Sequence, residues 1–491
     1  MSRLTRRELL IAGMGLAVAG CAGTGNSGAG PARGLGSTLI STWGDPHGTG
    51  TLTRTPGEPL IARTELGAAR RRGPVLATLA HVTDAHVLDA SSPARVPFLD
   101  RLGPPFQSTF RPQETLTAQV LAGALRAVES FGPDAVIQGG DLIDNDQANE
   151  LARALAALNG QTVDPGRYVG VQLRGDADPF YYRPDLDAPR YPGLLQRASQ
   201  SFRSPGLGAP WYPVLGDHDI LVAGELPPSA LTNRLATGDQ ALWELPPGLS
   251  APPGFALTEG GSPDGPPLPG AIDRLLAQAL EGPKVRVPAD GSRRELSAPE
   301  VVRRLRRAAK LPAGPTLDYS FDVGRHVRVI VLDLARRGGG SGGLVRPDQP
   351  GWLASQLNRA GDKWAVVVSH QPLPSSERGD QLLAVLDRSP HVIAVLAGHT
   401  HHNRIQARRT PAGGYHLIET ASLIDYPQQA RALRIRATTG GGVAIETWML
   451  DHAFPGDLGT ISRQLAYLDA QGGRPGDFAG TPADRNAVLY R

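Results

Sequence analysis

The sequence has 491 residues, with 50 basic and 47 acidic side chains, a formal net charge of +3 and a single cysteine. That length can bury a large core and hold more than one domain-sized unit. So balanced a charge excludes recognition of nucleic acid through a basic field, and Cys21 standing alone excludes an intrachain disulfide or a cysteine-ligated metal centre.

At the start of the chain, Arg3, Arg6 and Arg7 precede an apolar run, Leu9 to Ala19, too short to span a bilayer. The pair Arg6-Arg7 resembles a twin-arginine export signal, and "VAGC" at 18–21 is similar to a lipobox. Residues 1–20 are therefore expected to be a signal peptide. Cys21 is the expected lipidation site, and the protein is expected outside the cytoplasm, anchored to the outer face of the cytoplasmic membrane by that lipid alone. The competing reading is a simple cleaved signal with Cys21 incidental. Residues 21–73 read as a Gly/Ser/Ala-rich tether and N-terminal extension, with ordered patterning beginning near Pro74.

Five short apolar runs follow, each ending in aspartate or histidine: "VLATLAHVTDAH" (75–86), "DAVIQGGDLIDN" (134–145), "WYPVLGDHD" (211–219), "WAVVVSH" (364–370) and "VIAVLAGHTH" (392–401). Helical patterns lie near 114–131, 147–158, 349–360 and 380–388, so strands alternate with helices and predict an α/β core. Three later runs, "YHLIETA", "ARALRIRA" and "GVAIETWML", suit an antiparallel second sheet. Residues 160–205 and 224–315 are too long for structureless loops and read as inserts capping one face. The second holds helix candidates at 270–281 and 298–309, the latter opened by a Ser297–Glu300 capping box. Its "VVRRLRRAAK" reads as a solvated helix face, and "GGSGG" (339–343) as a flexible loop. The core domain is predicted over 74–450, and 451–491 as a tail with one short helix.

Open α/β sheets gather ligands beyond the carboxyl ends of their strands. Five runs ending in Asp or His would therefore converge on one place. Carboxylates with imidazoles and no thiolate suit borderline divalent metals. Seven such side chains are too many for one ion with open positions, and suit two ions about 3.5–4 Å apart, as in two-metal hydrolysis.

The ordered set Asp84-x-His86, Gly140-Asp141-x-x-Asp144-Asn145, Gly216-Asp217-His218-Asp219, His370 and Gly398-His399-x-His401 resembles the calcineurin-like metallophosphoesterases. "VIVLDL" (329–334) and "RPDQPGWLASQL" (346–357) extend the resemblance over about 75–450. It implies a four-layer α/β/β/α sandwich of two mixed sheets. The implied activity is hydrolysis of small phosphate mono- or diesters, by in-line attack of a hydroxide bridging two metal ions, with Mn, Fe or Zn as candidates. Carried over, the first metal takes Asp84, His86, bridging Asp141 and His401, and the second takes Asp141, Asp217, His370 and His399. His218 would steady or protonate the reacting oxygens, with Asp219 orienting it. Asn145 and His402 are weaker candidates for substrate contact. Asn145 equally suits a turn, and His402 a neighbour of the ligands.

One departure stands out, because the family usually has asparagine at Asp217. With Asp217 ionised, two divalent ions, one hydroxide and three carboxylates cancel, where the asparagine version leaves one positive charge. Such a centre would favour singly charged diesters or a trivalent ion. Three rival functions remain: a non-catalytic exported metal-binding lipoprotein, a metal-dependent hydrolase of a related ester or anhydride, and a serine hydrolase through Ser341.

Overall fold

Val392–Ala397, "VIAVLA", is buried at every position, and the chain there is a strand with its apolar side chains covered on both faces. The computed structural model describes residues 34–102, 109–170, 172, 181–244, 246, 265–266, 268, 277–472 and 477–491. The leader, Cys21 and the start of the tether lie outside the described residues.

Two mixed sheets form the core. In chain order, the first is built from β1 (Ile61–Arg63), β2 (Arg72–Val82), β3 (Ala135–Gln138), β4 (Trp211–Pro213), and later strands of the second half. The other is built from β5 (Tyr319–Val323), β6 (Val327–Val331), β7 (Trp364–Val368), β8 (Val392–Ala397), β9 (Arg404–Arg408) and β10 (Tyr415–Glu419). The strands returning to the first sheet are β11 (Gln429–Thr438), β12 (Val443–Asp451) and β13 (Ala487–Tyr490). Their orders are β1-β13-β12-β11-β2-β3-β4 and β5-β6-β7-β8-β10-β9. β2, β3 and β4 run parallel, as do β6, β7, β8 and β10, while β11 runs antiparallel to both its neighbours, β2 and β12.

The sheets meet across a shared layer. Tyr212 stacks on Phe321 at 3.4 Å between ring centroids, and the buried Arg431 of β11 donates to the carbonyl of Glu419 at the end of β10. Helices cover the outer faces. α1 (Thr117–Phe131) packs on β11 and β12, with α2 (Ala148–Leu158) beside it. α3 (Ala298–Ala308) opens at the expected capping box, Ser297 N–H donating to Glu300 at 3.1 Å. α4 (Gln349–Ala360) and α5 (Gly379–Leu386) bury Leu353, Leu382, Leu383 and Leu386 against Ile330, Val367 and Val395 of the second sheet. α6 (Leu458–Gln471) lies against α1. The layers are thus helix, sheet, sheet, helix.

Three expectations about organisation change. Order begins well before Pro74: strands Ser41–Gly44 and Thr53–Pro56 pair with each other, and β1 joins the first sheet. Residues 451–491 are no tail, because β13 sits inside that sheet between β12 and β1. "YHLIETA" is β10, parallel to β8 in the second sheet rather than part of the antiparallel one. The inserts are partly ordered, with strand pairs Thr162–Val163/Phe202–Arg203 and Gln240–Leu242/Lys284–Arg286. They share a small apolar cluster of their own, where Tyr181 and Leu242 meet Phe98 and Phe110.

Candidate metal centre

Each sequence-predicted ligand leaves the carboxyl end of a parallel strand. Asp84 and His86 follow β2, Asp141 follows β3, and Asp217 follows β4. His370 follows β7, and His399 and His401 follow β8. Three strands of one sheet and two of the other therefore deliver their ends to one cleft. Five of these seven residues have left-handed backbones: Asp84, His86, Asp141, His399 and His401, with φ of 52°, 42°, 47°, 66° and 59°. Non-glycine residues rarely adopt that region, and such strain gathers at functional sites.

Two glycines let the sheets approach. A Cβ on Gly398 would stand 2.2 Å from Thr83 Oγ1 and 2.5 Å from Asp84 Oδ2, and one on Gly140 would stand 2.4 Å from His370 Nδ1. Each contact crosses from one sheet to the other.

The side chains fall into two groups whose ligand atoms lie within 4.8 Å of one another: Asp141, Asp217, His370 and His399, and Asp84, His86 and His401. Asp141 stands between them, with Oδ2 3.0 Å from His370 Nε2 and 3.7 Å from His86 Nε2. Asp84 Oδ1 lies 3.3 Å from His401 Nε2. Hydrogen bonds at the outer nitrogens set the tautomers. His370 Nδ1 donates to the carbonyl of Gly139 at 2.9 Å, His86 Nδ1 to Asp144 at 3.1 Å and His401 Nδ1 to Asp425 at 2.6 Å. Each Nε2 lone pair is thereby turned inward. The buried Nε2 atoms of His86 and His370 have no hydrogen-bond partner of their own, which is what a metal-ligating imidazole requires.

The electrostatics follow from crowding. Burial alone would raise the Asp217 pKa, but His399 and His370 beside it hold the carboxyl well below its usual range. Burial likewise opposes charge on His401, yet Asp84 and Asp425 outweigh it and raise its pKa to about 9. Carboxylates and imidazoles compressed to these distances are the donor set of two borderline divalent cations, and the group fits two metal ions.

His218 lies beside this set. Its ring sits edge-on to His86, centroids 4.4 Å apart, and its Nε2 is 4.0 Å from Asp217 Oδ2. Its Nδ1 donates to the carbonyl of Asp144 at 2.7 Å, which leaves Nε2 on the Asp217 side of the ring. Asp219 does not orient it. The Asp219 carboxylate instead accepts from the N–H groups of Gly216 and Leu142 at 2.9 Å and of Ile143 at 3.3 Å, pinning two ligand loops together. Burial, with Asp141 nearby, pushes its pKa up to about 7. Asn145 serves its turn: it accepts from Ala223 N–H at 2.9 Å and donates to Asp144 at 3.2 Å. His402 faces away, 3.0 Å from Asp477 and edge-on to Phe478. The Gly-rich loop is ordered against the site, with the Ser341 carbonyl accepting from Gln371 Nε2 at 3.1 Å and Gly340 N–H donating to Glu225.

Sequence reasoning passed over Asp144, Asp425 and Gln371. Asp144 sat inside a quoted motif and Gln371 beside His370. Asp425, in the turn after β10, had no motif to mark it.

Residues 325–403, which include His370, His399 and His401, match the sequence profile of the family described as "Calcineurin-like phosphoesterase". Over that stretch the chain is similar to calcineurin-like phosphoesterases. Glycerophosphodiester phosphodiesterase GpdQ of Enterobacter lignolyticus is 34% identical over 84 residues, 15% of this chain and 30% of that protein. The chain thus spans less than a third of that relative's length. Among solved structures, a dimetal phosphatase from Danio rerio is 13% identical, covering 78% of this chain and 100% of its own, with a TM-score of 0.39. Sulfate thiohydrolase SoxB of Thermus thermophilus is also 13% identical, covering 83% and 62%, with a TM-score of 0.30. Asp84, His86, Asp141 and Asp217 lie outside the matched stretch, and the fold brings them to the three histidines within it.

Proposed function

We propose that the protein is a two-metal hydrolase of small phosphate esters that prefers diesters. The observation carrying this reading is Asp141 placed between two inward-facing Asp/His groups. Asp84, His86, Asp141 and His401 would hold one ion, and Asp141, Asp217, His370 and His399 the other. Two such ions would supply a nucleophile at neutral pH and Lewis-acid stabilisation of the phosphoryl oxygens. The chain's own contribution is positional. Asp144 fixes the His218 ring, and its Nε2, on the Asp217 side, steadies a phosphoryl oxygen or passes a proton to the departing one. The diester preference rests on Asp217, whose extra negative charge weakens attraction for a dianionic monoester. It is also in keeping with the name of the glycerophosphodiester phosphodiesterase, over the short stretch it shares.

Export and lipid anchoring at Cys21 belong to the same reading, supported by Arg6-Arg7 and "VAGC". No helix among the described residues is long and apolar enough to cross a membrane.

The test is hydrolysis of bis-p-nitrophenyl and p-nitrophenyl phosphate by the purified protein, with Mn(II) and with EDTA. Activity abolished by EDTA, restored by Mn(II) and greater on the diester is expected. EDTA-resistant turnover, or none on either ester with metal bound, overturns it.

A further inference from the structure

A chain of buried charges runs behind the first Asp/His group, outside the ligands themselves. It starts at His401, whose Nδ1 lies 2.6 Å from Asp425 Oδ2. Arg111 grips that carboxylate with Nε at 2.6 Å from Oδ1 and Nη2 at 3.3 Å from Oδ2. The backbone N–H of Arg111 donates to Glu114 Oε2 at 3.1 Å, and the same oxygen pairs with Arg95 Nη1 at 2.7 Å. Arg95 Nε then reaches Asp144 Oδ2 at 3.4 Å, and Asp144 Oδ1 meets His86 Nδ1 at 3.1 Å. The chain closes on the second histidine of the group in which it began. Arg95, Arg111, Glu114, Asp144 and Asp425 are all buried, none more than 7% exposed.

Burying five ions is costly, and well-packed apolar residues often replace such arrays without loss of stability. Stability therefore does not account for them. Their position does, since both ends hold the outer nitrogen of an imidazole in the group of Asp84, His86 and His401. The other group is built differently: among the described residues, His370 Nδ1 is backed by the neutral carbonyl of Gly139 and by no carboxylate. A carboxylate behind an imidazole fixes its tautomer and raises its basicity as a ligand, and an arginine behind the carboxylate keeps it ionised and in place.

We propose that Arg111 and Arg95, joined through Glu114, form a clamp that positions His401 and His86 as one unit for the first metal ion. Arg111 and Arg95 are positioning residues, each holding a carboxylate that in turn holds a histidine. The chain links Asp425, after the last strand of the second sheet, to Asp144, after β3 of the first. The first metal site is therefore tied to the registration of both sheets through Arg95, Arg111 and Glu114.

The proposal rests on the two-metal reading above, and its test reads metal affinity rather than turnover. The full-length protein, stripped of metal, is titrated with Co(II), followed by calorimetry and visible absorption. Arg111→Met is expected to weaken one of two binding events 10–100-fold and leave the other unchanged. Arg111→Lys recovers part of the loss. Arg408→Met, which breaks a pair with Asp387 that belongs to neither group, leaves both events intact. If Arg111→Met does not fold, Asp425→Asn decides, since it keeps volume and an acceptor oxygen while removing the charge. Wild-type affinity for both equivalents in a folded variant overturns the clamp. A wild-type protein that binds no metal overturns the clamp together with the metal-centre reading. One that binds two equivalents with the expected asymmetry in Arg111→Met but hydrolyses no phosphoester upholds the clamp and sinks only the proposed activity.

Discussion

Gln371 donates its side-chain N–H to Asp217 Oδ1 at 2.9 Å, and Asp217 lies 3.3 Å from His370 and 3.2 Å from His399. Asp217 thus has a donor of its own.

Asp217→Asn adds one unit of positive charge to the centre. A charge about 5 Å from a phosphoryl group is worth roughly 1–3 kcal/mol at effective dielectrics from about 60 down to about 20. A dianion feels that change twice as strongly as a monoanion. The ratio of kcat/KM for p-nitrophenyl phosphate to that for the bis ester should rise on the order of ten-fold. An unchanged ratio removes charge as the source of preference.

His218 is argued to act on substrate and not to hold metal. His218→Ala should lower kcat about 10²–10⁴-fold with two metal equivalents still bound by elemental analysis. Loss of a metal equivalent in parallel would make His218 a ligand instead.

Gly398 leaves no room for a side chain, with Thr83 Oγ1 2.2 Å from where its Cβ would lie. Gly398→Ala must push β8 away from β2, at about 1–3 kcal/mol of overpacking. The thermal midpoint should fall and metal stoichiometry should drop below two. A variant with wild-type stoichiometry would mean that the cleft tolerates separation of the sheets.

Asp146 carries a pH signature unconnected with catalysis. It is fully buried with neither carboxylate oxygen hydrogen-bonded, and burial, with Glu295 and Glu150 nearby, raises its pKa well above the ordinary carboxyl value. The folded state therefore keeps this proton after the unfolded chain has lost it. Its stability contribution is intact below the unfolded pKa near 3.8 and declines as pH rises toward the folded value. Asp146→Asn should match the wild type near pH 4 and exceed it near pH 8, by about 1–3 kcal/mol, in urea melts at both values. Equal stability at both would place a hydrogen-bonding partner on Asp146.

The two Asp/His groups were legible because each member is a polar residue at the abrupt end of a buried apolar run, a pattern local to a few residues. The helices at 117–131 and 349–360 were legible for the same reason, through their periodicity. What escaped is non-local. "IAR" at 61–63 is three residues long and becomes a strand only because β13 lies beside it. "YHLIETA" had the right strand but the wrong sheet, since membership is decided by whichever neighbour β8 offers. Asp219 follows His218 directly, yet its side chain turns to Leu142 and Ile143, while Asp144, from another loop, takes the orienting place. His402 adjoins His401 but points to Asp477.

β1 finds its partner in β13, from the far end of the described chain. During synthesis this strand has to wait, its hydrogen-bonding edge open, until β13 has been made. High contact order of this kind slows folding and leaves an adhesive border available to wrong partners. Assembly of this sheet is thus a race between late closure and misassociation, and shielding the waiting edge should raise the yield of folded protein.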